Sequence, residues 1–147
     1  MTCGATEAVF VTLLSLVEAG DEVLIPNPCW TYPAGIQLAG ADAKSYELNP
    51  DGGFQPNIDS LQKSVSSRTK LLIVNSPNNP TGGVLDRSRA EELRDFAVDN
   101  DLLVLSDEIY EKILYDDEAH QSLAALDGMR ERTITVNGFS KAYSMTG

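Results

Sequence analysis

Lys141 stands in Asn137-Gly138-Phe139-Ser140-Lys141-Ala142-Tyr143, among small and aromatic residues and just past an apolar run. A lysine in that place has two readings. It is a surface charge, or it is a partly desolvated amine able to form a Schiff base with a carbonyl. Upstream, Ser106-Asp107-Glu108-Ile109-Tyr110 also follows an apolar run. Asp107 either caps a turn or is a buried carboxylate that keeps a pyridine-type ring nitrogen protonated. Next to Lys141 the second job gains weight, because a protonated ring bearing a carbonyl is an electron sink. Tyr110, three residues on, is spaced to reach a ring hydroxyl on the same side. Glu108 points elsewhere and takes no part.

Three further segments carry polar or flat groups. Asn75-Ser76-Pro77-Asn78-Asn79-Pro80-Thr81-Gly82 reads first as a turn. However, Pro80 biases Asn79 away from the helical region, which fixes its amide as a donor facing the crevice. Trp30, the only tryptophan, is either a core residue or a flat ring covering a flat ligand. Gly4-Ala5-Thr6-Glu7 opens a helix, as a structural cap or as an anion site built from exposed amides and the Thr6 hydroxyl. No Walker lysine motif accompanies it, so a nucleoside triphosphate is not the expected anion.

These residues need elements to hold them. Apolar spacing predicts a helix over Ala5–Ala19, closed by Gly20 as a C-cap residue. Strands are predicted at Glu22–Pro26, Ala41–Leu48, Lys70–Asn75, Leu102–Leu105 and Arg132–Val136. Helices are predicted at Tyr32–Ala39, Ile58–Val65 and Asp86–Asn100, the last with Leu93, Phe96 and Ala97 on one face. Strand and helix alternate almost throughout, which implies parallel strands joined by crossover helices. The run Lys70-Leu71-Leu72-Ile73-Val74-Asn75 suits a sheet covered on both faces. The expected fold class is α/β, a three-layer sandwich around a mostly parallel sheet. In such sheets ligands gather beyond the carboxyl ends of the strands, where Trp30, Asn79, Asp107, Tyr110, Ser140 and Lys141 lie.

The 147 residues carry 11 basic and 22 acidic side chains, a net charge of −11, which argues against nucleic acid or an anionic membrane surface as partner. The only histidine, His120, reads as a surface residue, and no metal-ligand spacing is present. Cys3 and Cys29 read as buried small hydrophobes in a reducing compartment, hence a cytoplasmic protein.

In this order and spacing, the segments resemble the large domain of pyridoxal 5′-phosphate-dependent class I/II aminotransferases, the aspartate aminotransferase-like fold type I group. The likeness covers essentially the whole chain. It rests on Gly4-Ala5-Thr6-Glu7-Ala8, Asn27-Pro28-Cys29-Trp30-Thr31-Tyr32, the run from Ser76 to Gly82, Ser106 to Tyr110, and Gly138 to Gly147. The resemblance implies that Lys141 holds the cofactor as a Schiff base and moves the substrate proton. It implies that Asp107 pairs with the ring nitrogen and that Tyr110 and Asn79 bond the phenolic oxygen. Trp30 would stack on the ring, and Ala5 and Thr6 would hold the phosphate with Ser140. It further implies an amino acid and a 2-oxo acid as substrates, and a homodimer.

The pattern departs from the family in places. Many relatives have a phosphate-binding serine where Gly138 stands, and an arginine eight residues after the lysine, which would fall past Gly147. Both ends look cut from something larger. The expectation is therefore the core of a large domain without its N-terminal arm or small domain, and poor turnover by these residues alone. The cofactor residues equally suit a lyase or synthase on the same scaffold, and a truncated, non-catalytic module is the reading from another class. A nucleotide-binding Rossmann domain is disfavoured, since no Gly-x-Gly-x-x-Gly follows a strand.

Overall fold

The computed structural model describes residues 1–146. The chain runs α1 (Ala5–Leu16), β1 (Glu22–Asn27), α2 (Tyr32–Leu38), β2 (Asp42–Asn49), β3 (Gln55–Pro56), α3 (Ile58–Ser64), β4 (Thr69–Asn75), α4 (Arg87–Asp99), β5 (Leu103–Asp107), β6 (Thr133–Val136) and α5 (Phe139–Ala142). Six strands form one sheet in the order β3-β2-β1-β4-β5-β6. All neighbours pair in parallel except β2 with the short β3, an antiparallel strand that periodicity does not reveal.

Side chains alternate across a strand, and here the alternation divides the core in two. Val23, Ile25, Leu71, Ile73 and Leu105 face one side, with Val9 and Leu13 of α1 and Tyr32 and Ile36 of α2. Leu24, Leu72, Val74 and Val104 face the other, with Leu61 of α3 and Ala90, Leu93, Phe96 and Ala97 of α4. Leu13, Ile36, Leu71, Leu72 and Leu93 have no exposed surface. Each such burial contributes roughly 1.5–3 kcal/mol. This is the expected three-layer α/β sandwich.

The chain leaves β1 toward one edge of the sheet and resumes at β4 toward the other, so the winding reverses between β1 and β4. Such a reversal opens a crevice beyond the strand ends.

Several expectations need correcting. The first helix ends at Leu16, not Ala19: Val17 is extended and buried, and a turn in which Glu18 N–H donates to Asp21 leads into β1. Gly20 serves that turn instead of capping the helix. Cys3 is exposed, because its segment runs along the crevice, and Cys29 is only half-buried, packed against the edge of the core on the α1–α2 side. His120 is not a surface residue; its side chain is only 15% exposed and is tied to Glu108. α4 begins after Asp86, whose carboxylate accepts from Arg89 N–H at 2.7 Å as an N-cap.

Candidate active site

A cleft of about 690 Å³ lies beyond the carboxyl ends of β1, β4, β5 and β6. Ala5, Thr6, Trp30, Asn79, Asp107, Tyr110, Ser140 and Lys141 all line it. The fold thus gathers into one cavity every residue singled out from the sequence.

Asp107 forms the floor. It ends β5 opposite Asn75 of β4 and shares the face of Leu105, two residues earlier, so it points toward the α1–α2 layer. Its side of the sheet carries Tyr32, whose hydroxyl donates to Asp107 Oδ2 at 2.6 Å; the Ile109 amide donates to Oδ1 at 3.3 Å. Burial pushes the Asp107 carboxyl above its usual value, and the charge of Glu108 adds to this. The bonds from Tyr32 and Ile109 pull the other way. A cation or strong N–H donor facing Asp107 would remove that penalty. Lys141 is the only lysine or arginine among the described residues lining the cleft.

Asn75 ties the floor to the wall. Its Nδ2 donates to the Asp107 carbonyl at 3.0 Å, and its Oδ1 accepts from the Asn79 amide at 2.8 Å. Asn79 Nδ2 in turn donates to the Tyr110 hydroxyl at 3.1 Å. The result is a connected path from Asp107 through Asn75 and Asn79 to Tyr110. Neither Tyr32 nor Asn75 was singled out from the sequence. A signal existed for each: Asn75 is the polar end of the most apolar strand, and Tyr32 lies two residues after Trp30.

Lys141 sits on the single-turn helix α5, exposed to the cleft. Gly138 before it is extended, with φ 178°, a backbone any residue adopts. A side chain there would meet Ile109 Cδ1 at 3.1 Å. The glycine therefore leaves room for the Ile109 side chain. Trp30 is 72% exposed, so it is not a core residue; it forms part of the cleft rim.

The N-terminus of α1 supplies the opposite wall. Gly4 precedes it at φ 90°, in the region that favours glycine. Glu7 turns back to accept from the Cys3 amide, leaving no side-chain cap on the helix itself. The leading amides of a helix lack intrahelical acceptors and carry partial positive charge. Those of Ala5 and Thr6 are therefore donors suited to an anion.

Glu108 goes the other way. One residue on from Asp107, it lies with Ser106 on the opposite face and is 3% exposed. Oε1 accepts from Ser106 Oγ at 2.9 Å and Ser122 Oγ at 2.8 Å; Oε2 is 2.8 Å from His120 Nε2. Burial pushes this carboxyl up, but the bonds from His120, Ser122 and Ser106 outweigh it and hold it below the usual value. Glu111 brings a third potential ligand atom within 4.8 Å of the other two. The direct Glu108–His120 bond already engages the two groups that would face an ion.

The site's likeness to known proteins runs along the whole chain. The chain is 50% identical over 145 residues to aspartate aminotransferase of Pyrococcus abyssi, covering 98% of itself and 37% of that protein. It is 44% identical to aromatic-amino-acid aminotransferase 2 of Thermococcus litoralis, covering 100% of itself and 38% of the relative. The fold superposes on an aromatic aminotransferase from Pyrococcus horikoshii with a TM-score of 0.95 at 48% identity, over 98% of this chain and 39% of that one. Against Thermus thermophilus aspartate aminotransferase with maleate, the TM-score is 0.94 at 40% identity, over 99% and 38%. The chain therefore spans well under half the length of these relatives. The sequence model described as aminotransferase class I and II matches residues 1–147, and the chain belongs to that family.

Proposed function

We propose that these residues are the cofactor-binding core of a pyridoxal 5′-phosphate-dependent aminotransferase, which moves an amino group between an L-amino acid and a 2-oxo acid. The observation that carries this reading is the pairing of a buried carboxylate, Asp107, with one lysine, Lys141, in a single cleft. The residues present fit the cofactor. Asp107 is buried with a raised carboxyl and would be relieved by a ring N–H⁺. The α1 N-terminus fits a phosphate, and Asn79 with Tyr110 fits a phenolic oxygen.

When bound, the cofactor supplies an electron sink for the pair left behind by the substrate α-proton. The chain's own residues do the rest. Lys141 Nζ would hold the cofactor's aldehyde carbon, and its amine would serve as the base and acid that takes up and returns the substrate's α-proton. Asp107 holds the ring nitrogen's proton, and Tyr32 and Ile109 hold Asp107 in place. Asn79 and Tyr110 donate to the phenolic oxygen. Trp30 covers the ring from the rim. Ala5 and Thr6 amides, with Ser140, orient the phosphate.

We extend the reading to a cytoplasmic homodimer acting in amino-acid metabolism. Exposed apolar residues on α1, Val11 and Leu14, and around α5, Phe139, Tyr143 and Met145, supply surface for a second copy. Among the described residues no helix is long and apolar enough to cross a membrane.

The test is direct. The protein mixed with pyridoxal phosphate should gain a visible absorbance band, and borohydride should trap the adduct on Lys141, read by peptide mapping. Absence of both sinks the proposal.

A further inference from the structure

The proposed chemistry leaves Glu108 unused, yet an ionised carboxylate inside a protein is costly unless it is paired and hydrogen-bonded. Its partners come from separate places: Ser106 in β5, and His120 and Ser122 in the long connection to β6. The Glu108 amide also donates to Val136 at the end of β6, at 2.8 Å. His120 commits Nε2 to Glu108 while its buried Nδ1 has no partner. A buried nitrogen left bare is a cost, which the bond to Glu108 offsets.

We propose that Glu108 and His120 form a positioning clamp. From the face opposite the cleft, it fixes the backbone at 107–110 and so sets where Asp107 and Tyr110 aim. The geometry follows from strand alternation: Asp107 and Glu108 are adjacent, point to opposite layers, and so share one short piece of backbone. Tyr110 follows two residues later, and the Glu111 amide closes a turn on the Glu108 carbonyl at 3.0 Å. The charged groups nearby are Asp107, whose carboxyl the charge of Glu108 raises, and Glu111 and Lys112, paired with each other at 3.5 Å. The clamp rests on the roles proposed for Asp107 and Tyr110, and both residues are held without any contact between His120 and the cleft.

His120→Leu removes the donor, and His120→Gln restores one near the position of Nε2. In the cofactor-free protein, the Leu variant should exchange its Ile109 and Glu111 amide hydrogens faster, on the order of tenfold, while Val23 and Leu24 in β1 keep wild-type rates. In the pyridoxal phosphate-loaded protein, the pH midpoint of the visible band should move in the Leu variant. The Gln variant should return both readouts toward wild type. Unchanged exchange at 109–111, or acceleration spread evenly over the sheet, overturns the clamp. So does a local acceleration with an unmoved midpoint, which would make the pair structural only. A wild-type protein without any visible band fails the cofactor reading instead, and the exchange rates then decide the clamp by themselves.

Discussion

The Tyr32 hydroxyl donates to Asp107 Oδ2 at 2.6 Å, joining residues 75 positions apart at the floor of the cleft. The bond favours the ionised form of Asp107, since a phenol donates to a carboxylate more strongly than to a neutral acid. Burial nevertheless raises the Asp107 carboxyl. At the floor of the cleft, burial and two hydrogen bonds therefore pull the Asp107 carboxyl in opposite directions.

Asp107→Asn should stabilise the cofactor-free protein at neutral and mildly alkaline pH. A carboxyl raised by burial favours its protonated form in the folded state. Its contribution to stability is present at acid pH and is lost as pH rises through the folded value. The variant should therefore melt higher than wild type near neutrality, with the gap closing toward the ordinary value of 3.8. The same variant should retain pyridoxal phosphate poorly. Thermal melts across pH and equilibrium dialysis check the two halves; equal melts at every pH would contradict the first.

Tyr110→Phe removes one donor proposed for the phenolic oxygen, and leaves Asn79 Nδ2 without its partner. Donors stabilise the ionised oxygen, so their loss should raise the pH midpoint of the visible band by roughly one unit, the size of a single hydrogen bond. A spectrophotometric titration reads it. A midpoint that stays put or falls removes Tyr110 from that oxygen.

Gly4→Ala places a Cβ at φ 90°, where space is open but the backbone is unfavourable. The strain of about 1–3 kcal/mol should shift the start of α1 and its amides. Affinity for pyridoxal 5′-phosphate should drop, while affinity for pyridoxal, which lacks the phosphate, should barely change. Equal losses for both ligands would place the phosphate away from the α1 N-terminus.

Glu22 sits at the far end of the sheet, almost fully buried, with Ser66, Arg68 and Lys44 around it. The bond from Ser66 lowers its carboxyl most, against burial, with Arg68 and Lys44 assisting. A lowered carboxyl stabilises the fold above its ordinary value of 4.5, and that stability is lost as pH falls through the lower folded value. Glu22→Gln should cost about 1–3 kcal/mol near neutrality by weakening charge-assisted bonds. It should also flatten the acid limb of the stability profile. Urea melts at several pH values test this, with cofactor binding at neutral pH unchanged.

How much was legible depended on whether the information was local. Continuous apolar runs located β1, β4 and β5 to within two or three residues, because burial on both faces leaves that signature, and the one-faced spacing of Leu93, Phe96 and Ala97 located α4. β3 escaped, since two residues cannot establish a period. The end of α1 was misplaced because Val17 and Ala19 continue an apolar pattern after the backbone has turned. His120 looked like a surface residue because a polar neighbourhood in sequence says nothing about a buried carboxylate twelve residues away.

The sequence by itself determined the chemical inventory: one lysine after the last strand, a carboxylate and tyrosine after the strand before it, and an asparagine held before Pro80. It also placed all of these past strand ends, although Asp107 proves to be the last residue of β5 where the strand was expected to stop at Leu105. Tertiary structure alone decided their relations. The order β2-β1-β4-β5-β6 brought those strand ends side by side. The register opposite Asn75 set the floor, and strand alternation sent Asp107 into the cleft and Glu108 away from it. Pairings such as Tyr32 with Asp107 arise from packing between distant segments. No local pattern encodes them, because the energy that selects them is shared across the whole sheet.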